Sequence, residues 1–173
     1  YLALNHWGNL LPKAFADEQF RFYGTTLSGT PTQSERWKRG IGSTNGALGD
    51  AVGRIYADKY FPPASKRAVE SMVTDIKNAF RQRIAALDWM TPATKAAATR
   101  KLDTLIVSVG YPETWRNYST LTITRDDALG NAMRAEEWEY QHRRGKLTKP
   151  IDRQEWSMTP QTVNAVNLPL QNA

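Results

Sequence analysis

The sequence predicts a mainly α-helical fold, a helical array that ends in a short β-prone C-terminal tail. Three observations point there. Apolar residues recur at helical spacing through most of the chain, capping and proline signals mark where helices start, and β-type patterning is confined to two short stretches.

Taken in order, the first segment places Leu4, Trp7, Leu11, Phe15 and Phe22 on one helix face, and Pro12 breaks or kinks that helix near Leu11. Leu27-Ser28-Gly29-Thr30-Pro31 reads as a loop. Thr32 and Glu35 form a T-x-x-E capping box, so the next helix is expected to start at Thr32. Its apolar face is Trp37, Ile41, Leu48, Val52, Ile55 and Tyr56, and Pro62-Pro63 ends it. Gly42, Gly46, Gly49, Gly53 and Ala57 share one of its faces. Interior glycine is less favourable than alanine by up to about 1 kcal/mol, so such a stripe marks either close packing of another helix or a bend.

A further helix runs from about Ser65 to Leu87 with Val69, Met72, Val73, Ile76, Phe80, Ile84 and Leu87 as its stripe. Thr91 as N-cap, followed by Pro92, opens another through Ala98, Leu102 and Leu105, which Gly110-Tyr111-Pro112 terminates. Tyr118 to Thr124 alternates Leu121 and Ile123 with threonines and reads as a short strand. Asp126 or Asp127 caps a helix to Arg144, with Gly145 at its end. Then comes the tail, Met158 to Ala173. Its run Thr162-Val163-Asn164-Ala165-Val166-Asn167-Leu168 is β-prone, and a strand there needs partners for its N–H and C=O groups. The tail is therefore expected to be poorly ordered or to borrow the edge of a neighbouring molecule.

Composition narrows the function classes. Six Trp, seven Tyr and five Phe supply enough large apolar surface for a packed core. No run of about 18 apolar residues is present, so no membrane segment is expected within the chain. The opening YLALNHWGNLLPK lacks a basic n-region and a small-residue cleavage site; it reads as the interior of a longer protein and not as a signal peptide. With no cysteine, disulfide frameworks, thiolate zinc sites and cysteine nucleophiles are excluded. The net charge of +6 invites a nucleic-acid reading, but the basic residues are dispersed, as at Arg36-Trp37-Lys38-Arg39, Lys66-Arg67 and Arg100-Lys101. Arg143, Arg144, Lys146 and Lys149 come closest to a patch, and no nucleic-acid-binding motif accompanies them. These cations are expected on solvated helix faces, with no nucleic acid as partner.

The residues themselves offer little chemistry. A zinc helix of the H-E-x-x-H type needs two histidines four residues apart, and His6 and His142 cannot supply them. His6 beside Trp7 reads as packed or hydrogen-bonded, and His142 as a cation near a helix C-terminus. Asp126-Asp127 reads as a cap and Glu136-Glu137-Glu139 as a solvated face, with no second acidic cluster to form a glycosidase-like pair. A G-x-G-x-x-x-G run at Gly40 to Gly46 lacks both a preceding strand and a Walker lysine, so it is not a phosphate loop. One reading compatible with these residues alone is a stand-alone helical interaction module that docks through the glycine-striped helix.

Several blocks, in order, carry a more specific likeness. They are Tyr23-Gly24-Thr25, Arg36-Trp37-Lys38-Arg39, Ala51-Val52-Gly53-Arg54-Ile55-Tyr56, Leu87-Asp88-Trp89-Met90, Gly110-Tyr111-Pro112, Glu155-Trp156-Ser157-Met158-Thr159-Pro160 and Val163-Asn164-Ala165. Together the chain resembles the neprilysin and endothelin-converting-enzyme family of zinc endopeptidases, its bacterial branch in particular; Gly40 stands where animal members usually have cysteine. The resemblance implies two lobes around a cavity: a helical cap that restricts which peptides enter, and a catalytic lobe that holds zinc on an H-E-x-x-H helix and a later glutamate. Residues 1–125 would then be part of the cap, and 126–173 a crossover helix and the start of the catalytic lobe, ending in a substrate-binding edge strand. It further implies that Asn164 and Ala165 hold the backbone of a peptide substrate, although Val166 and Asn167 replace the usual aromatics. The zinc site would lie downstream of Ala173, so the 173 residues alone are expected to be inactive and to bind no zinc. The implied partners are peptide substrates and the catalytic lobe of the same protein. The implied location is periplasmic, extracellular or in the cell envelope.

Overall fold

A computed structural model describes residues 2–173, which are helical with no strand among them. The order is α1 (Leu2–Trp7), a 3-10 turn (Gly8–Leu10), α2 (Lys13–Gln19), a π-helical stretch (Phe20–Leu27), α3 (Arg36–Tyr60), α4 (Pro63–Ala86), α5 (Pro92–Asp103) and α6 (Ala128–Arg144). They form two compact units interleaved in sequence: 1–49 with 117–149, and 50–116 with 150–173.

In the first unit, the expected break near Leu11 falls where the proline places it. The 3-10 turn ends at Leu10, and Pro12 accepts the N–H groups of Phe15 and Ala16 as α2 begins. Gln19 then ties α2 back to α1, its side-chain Nε2 donating to the Asn5 carbonyl at 2.7 Å. Helix α3 departs from expectation at its start. It begins at Arg36, not Thr32, because the Glu35 carbonyl is the first acceptor, taking the N–H groups of Lys38 (3.0 Å) and Arg39 (3.2 Å). The Glu35 carboxylate accepts the Trp37 indole N–H at 2.6 Å and pairs with Lys38 at 3.4 Å, so it acts at the helix start and not three residues inside it.

The predicted strand over Tyr118–Thr124 is corrected. Its backbone groups find side chains of α6 in place of a neighbouring strand. Asn131 donates to the Thr124 carbonyl and accepts its N–H, both at 2.8 Å, and Arg134 donates to the Thr122 carbonyl at 2.9 Å. Helix α6 itself starts as expected, with the Asp127 side chain accepting the Gly130 N–H at 2.9 Å. The Arg134 guanidinium beside Asp127, and then the Gly130 N–H, hold that carboxyl below the ordinary aspartate range. A lowered carboxyl pKa stabilises the fold above the unfolded value of about 3.9 and loses that stabilisation as pH falls through the folded value. In an acid titration followed at the Gly130 amide by NMR, the midpoint is expected below 3.9, and Arg134→Ala is expected to move it upward.

The second unit is built on a hairpin of α4 and α5. Thr91 caps α5 by accepting the Thr94 N–H at 3.2 Å, with Pro92 at the first helical position. Lys95 donates to the Ala85 carbonyl at 2.7 Å, while Arg81 pairs with Asp103 at 2.7 Å and Lys77 reaches the Leu105 carbonyl at 3.1 Å. These contacts run the two helices antiparallel. Helix α5 stops at Asp103, short of Gly110-Tyr111-Pro112. The apolar stripe of α4 is only partly covered: Val69, Val73 and Ile84 are half-buried, but Met72, Ile76 and Phe80 are all more than half exposed. No large side chain is fully buried among the described residues.

The glycine stripe of α3 serves two purposes along its length. Leu48 leaves the helical region (φ −130°, ψ 35°), so the helix bends within the stripe. Gly40, Gly42 and Gly46 face open space, whereas Gly53 is buried and Ala57 is 2% exposed. Nearest to the open side of Gly53 are Pro160 and Gln161 of the tail.

Lys66 also departs from expectation. Far from lying on a solvated face, it is 8% exposed. Its ammonium donates to the Tyr111 carbonyl at 2.9 Å and to the Glu113 carboxylate, and lies 4.4 Å from the centre of the Tyr111 ring. The Tyr111 ring is in turn stacked on Trp115 and edge-on to Phe61, so Gly110-Tyr111-Pro112 is a packed turn and not only a helix stop.

Candidate functional site

The candidate segment is the tail, Glu155 to Ala173, in the second unit. It forms no strand. Thr162 donates to the Thr159 carbonyl at 2.9 Å to close a turn, the Asn164 N–H donates to the Thr162 carbonyl at 3.0 Å in a second, tighter one, and residues 163–168 run on without regular secondary structure. The final residues turn back on the end of α5. Asn172 donates to the Lys101 carbonyl at 2.8 Å and the Thr104 hydroxyl at 3.1 Å, and its own carbonyl accepts the Ile106 N–H at 3.0 Å. Arg153 donates to the Thr104 carbonyl and the Gln171 carbonyl, each at 2.9 Å. A helix leaves its last carbonyls unpaired, and here tail side chains fill that need. The expected search for a neighbouring molecule's edge is thus replaced by contacts with the same chain at both ends of the tail.

Between those ends, Asn164 and Ala165 are exposed, and Val163 is 98% exposed. Asn164 Oδ1 accepts the Ala165 N–H at 2.8 Å. The Asn164 Nδ2 can donate, and a carbonyl has two lone pairs, so the pair can engage a backbone laid beside it. The two residues are adjacent in an accessible run outside any helix, where main-chain recognition can reach them.

The other polar clusters do different work. In the first unit, Glu136 Oε1 lies 2.8 Å from His6 Nε2 and accepts the Trp7 indole N–H at 3.3 Å, so Glu136 is no mere solvated charge. His142 stacks on Trp138 at 5.6 Å. Glu139 pairs with Arg143 at 2.8 Å. Among the described residues no three of His, Cys, Asp and Glu come together as a metal site, so the donor set of a zinc centre does not fit within them. No helix among them is long and apolar enough to cross a membrane.

Comparison with known proteins gives the family. Peptidase family M13 matches residues 1–112. The chain belongs to peptidase family M13. Among M13-type relatives, the endothelin-converting enzyme homolog of Locusta migratoria is 31% identical over 169 residues, which is 94% of this chain and 23% of that protein. The open-state structure of the Mycobacterium tuberculosis zinc metalloprotease Zmp1 superposes with a TM-score of 0.89 at 43% identity, covering 96% of this chain and 26% of that one. The crystal structure of PepO from Lactobacillus rhamnosis HN001 gives 0.74 at 33% identity over 91% of this chain and 25% of that one. The chain therefore spans about a quarter of the length of the M13 proteins it matches. The M13 match and the helical architecture agree with the resemblance read from the sequence blocks.

Sequence reasoning missed two residues that matter to the tail. Arg116 joins α3 to the tail by ion pairs, and nothing in its local sequence marks it. Gly53 was visible as a stripe member, but its neighbour, Pro160, is more than a hundred residues away.

Proposed function

We propose that this chain is the helical cap portion of a zinc-dependent metalloendopeptidase that cleaves peptides, together with the beginning of its catalytic lobe. In this reading residues 1–125 belong to the cap and restrict substrate access. Residues 126–173 cross toward the catalytic lobe, and Asn164 and Ala165 hold the substrate backbone. Zinc, bound by residues of the parent protein outside these 173, supplies an activated water for peptide hydrolysis. The parent acts outside the cytoplasm, in the periplasm, the cell envelope or the extracellular space.

Family membership supports the reaction class, and one observation carries the site: the Asn-Ala pair lies in an exposed, non-helical run held at both ends by its own unit. The open apolar stripe of Met72, Ile76 and Phe80 suits a chain that packs against further parts of a longer protein. The alternative, a stand-alone helical interaction module docking through α3, has the open space at Gly40, Gly42 and Gly46 on its side. Open glycines equally suit close packing of another helix of the same protein, and membership of family M13 favours the peptidase.

The test is Asn164→Ala in the parent protein with a peptide substrate. Loss of one or two hydrogen bonds to the substrate backbone, each about 1 kcal/mol, is expected to raise KM on the order of tenfold with zinc content unchanged. Unaltered KM would remove Asn164 from the binding site. Hydrolysis that persists in the zinc-stripped parent protein would overturn the metallopeptidase reading itself.

A further inference from the structure

Two contacts fix the head of the tail to the body of its unit. Arg116 Nε lies 3.4 Å from Asp50 Oδ2 on α3, and Arg116 Nη2 lies 3.8 Å from Glu155 Oε1, where the tail begins. The Arg116 and Asp50 side chains are 28% and 18% exposed, so the pair is shielded from much of the screening that weakens surface pairs. The second contact is steric. A Cβ added to Gly53 would sit 2.6 Å from Pro160 Cδ and 2.8 Å from Gln161 Oε1. A proline ring cannot rotate out of the way as a flexible side chain does. Asp50 and Gly53 are three residues apart on α3, hence neighbours on one face. The ionic and steric contacts therefore hold the two ends of the stretch from Glu155 to Gln161 against the same strip of helix. Asn164 follows three residues after Gln161, a reach of roughly 10 Å at most. The seat of Pro160 and Gln161 therefore limits where Asn164 can lie.

We propose that Arg116 and Gly53 are positioning residues for substrate binding: they seat the tail on α3 and so fix where Asn164 and Ala165 meet the substrate backbone. The proposal rests on the peptidase reading given above. Neither residue touches the peptide; each acts through the tail. Displacement of a binding group by about 1 Å is enough to change kinetics many-fold. Contacts to a substrate backbone away from the reacting atoms act on ground state and transition state alike, so the signature is in KM and not in kcat.

The experiment is steady-state kinetics of the parent enzyme on a fluorogenic peptide, comparing Arg116→Met, Arg116→Lys, Gly53→Ala and Asn164→Ala with the Arg116→Met/Asn164→Ala double variant. Arg116→Met is expected to raise KM about five- to tenfold with kcat within about twofold, and Arg116→Lys to recover part of the loss. Gly53→Ala disturbs the same seat sterically and is expected to shift KM in the same direction. The double variant is expected to be little worse than Asn164→Ala alone, because both changes remove one shared contact. If Asn164→Ala raises KM but Arg116→Met and Gly53→Ala leave it unchanged, the positioning role is wrong and the substrate site stands. Fully additive effects in the double variant would also overturn it. A fall in kcat together with melting temperature that Arg116→Lys fails to rescue would reduce Arg116 to general support of the fold, against the proposal. No KM change in Asn164→Ala would overturn the reading on which the proposal depends, and the proposal with it.

Discussion

Gly110→Ala is expected to destabilise the unit containing α4 and α5 by about 3 kcal/mol, from two sources that can be separated. Gly110 has φ +71°, a left-handed conformation that an L-residue adopts at a cost of about 1 kcal/mol. In addition, a Cβ there would lie 2.3 Å from Cε1 and 2.8 Å from Cδ1 of Phe61, well inside contact distance. Phe61 is itself held edge-on against Tyr111, with ring centres 6.1 Å apart, so moving it disturbs the packed turn and adds roughly 1–3 kcal/mol. Gly29→Ala is the control. Its φ is +67°, but nothing lies within 4 Å of the added methyl, so the backbone term alone should appear, about 1 kcal/mol. Hydrogen exchange at the Tyr111 amide, which donates to the Val109 carbonyl at 2.8 Å, reports opening of the Gly110 turn in the parent protein. The Gly29 amide, which donates to the Thr25 carbonyl at 3.2 Å, reports the control. Equal losses at the two sites would mean that Phe61 yields without penalty.

Removing the buried ammonium of Lys66 is the second large effect, and its two partners should not matter equally. Lys66→Met keeps most of the aliphatic stem but leaves the Tyr111 carbonyl without its 2.9 Å donor and removes the cation from the Tyr111 ring. An unsatisfied partly buried carbonyl costs about 1–3 kcal/mol, so a loss near 2 kcal/mol is expected. Lys66→Ala adds a cavity and should be worse. The Glu113 side chain, by contrast, is 83% exposed and regains water when its partner goes. Glu113→Gln is therefore expected to change stability by less than about 1 kcal/mol. Urea unfolding of the parent protein followed by fluorescence of Trp115, which stacks on Tyr111, measures all three. A Glu113→Gln loss as large as that of Lys66→Met would show that the ion pair, and not the carbonyl, anchors the turn.

These residues also mark how far the sequence could be read. Thr91-Pro92 and Asp127 were legible as helix starts because the bonds they make reach only three residues, Thr91 to Thr94 and Asp127 to Gly130. The T-x-x-E box at Thr32 misled for the same local reason. Its glutamate was captured by Trp37 and Lys38, and a motif does not show which of its possible partners wins. Tyr118–Thr124 had the alternation of a strand, but alternation describes side chains, and backbone groups accept any donor or acceptor that arrives, here Asn131 and Arg134. The Asn-Ala pair is proposed from likeness to a family and not from its own chemistry, since an exposed asparagine in a loop has many ordinary uses.

By itself, then, the sequence determined the helical class, most of the helix starts, and the position of the Asn164-Ala165 pair within a recognisable order of motifs. Each of these is either a short-range hydrogen bond or a pattern along the chain. Tertiary structure alone decided that Lys66 is buried under Tyr111, that Gly53 receives Pro160, and that Arg116 joins Asp50 to Glu155. It also decided that the tail pairs with the end of α5 and not with a strand. Those outcomes depend on residues far apart in sequence, 45 positions in the case of Lys66 and Tyr111, meeting in space. The free energy of such a meeting belongs to the pair and its surroundings, and neither residue carries it alone.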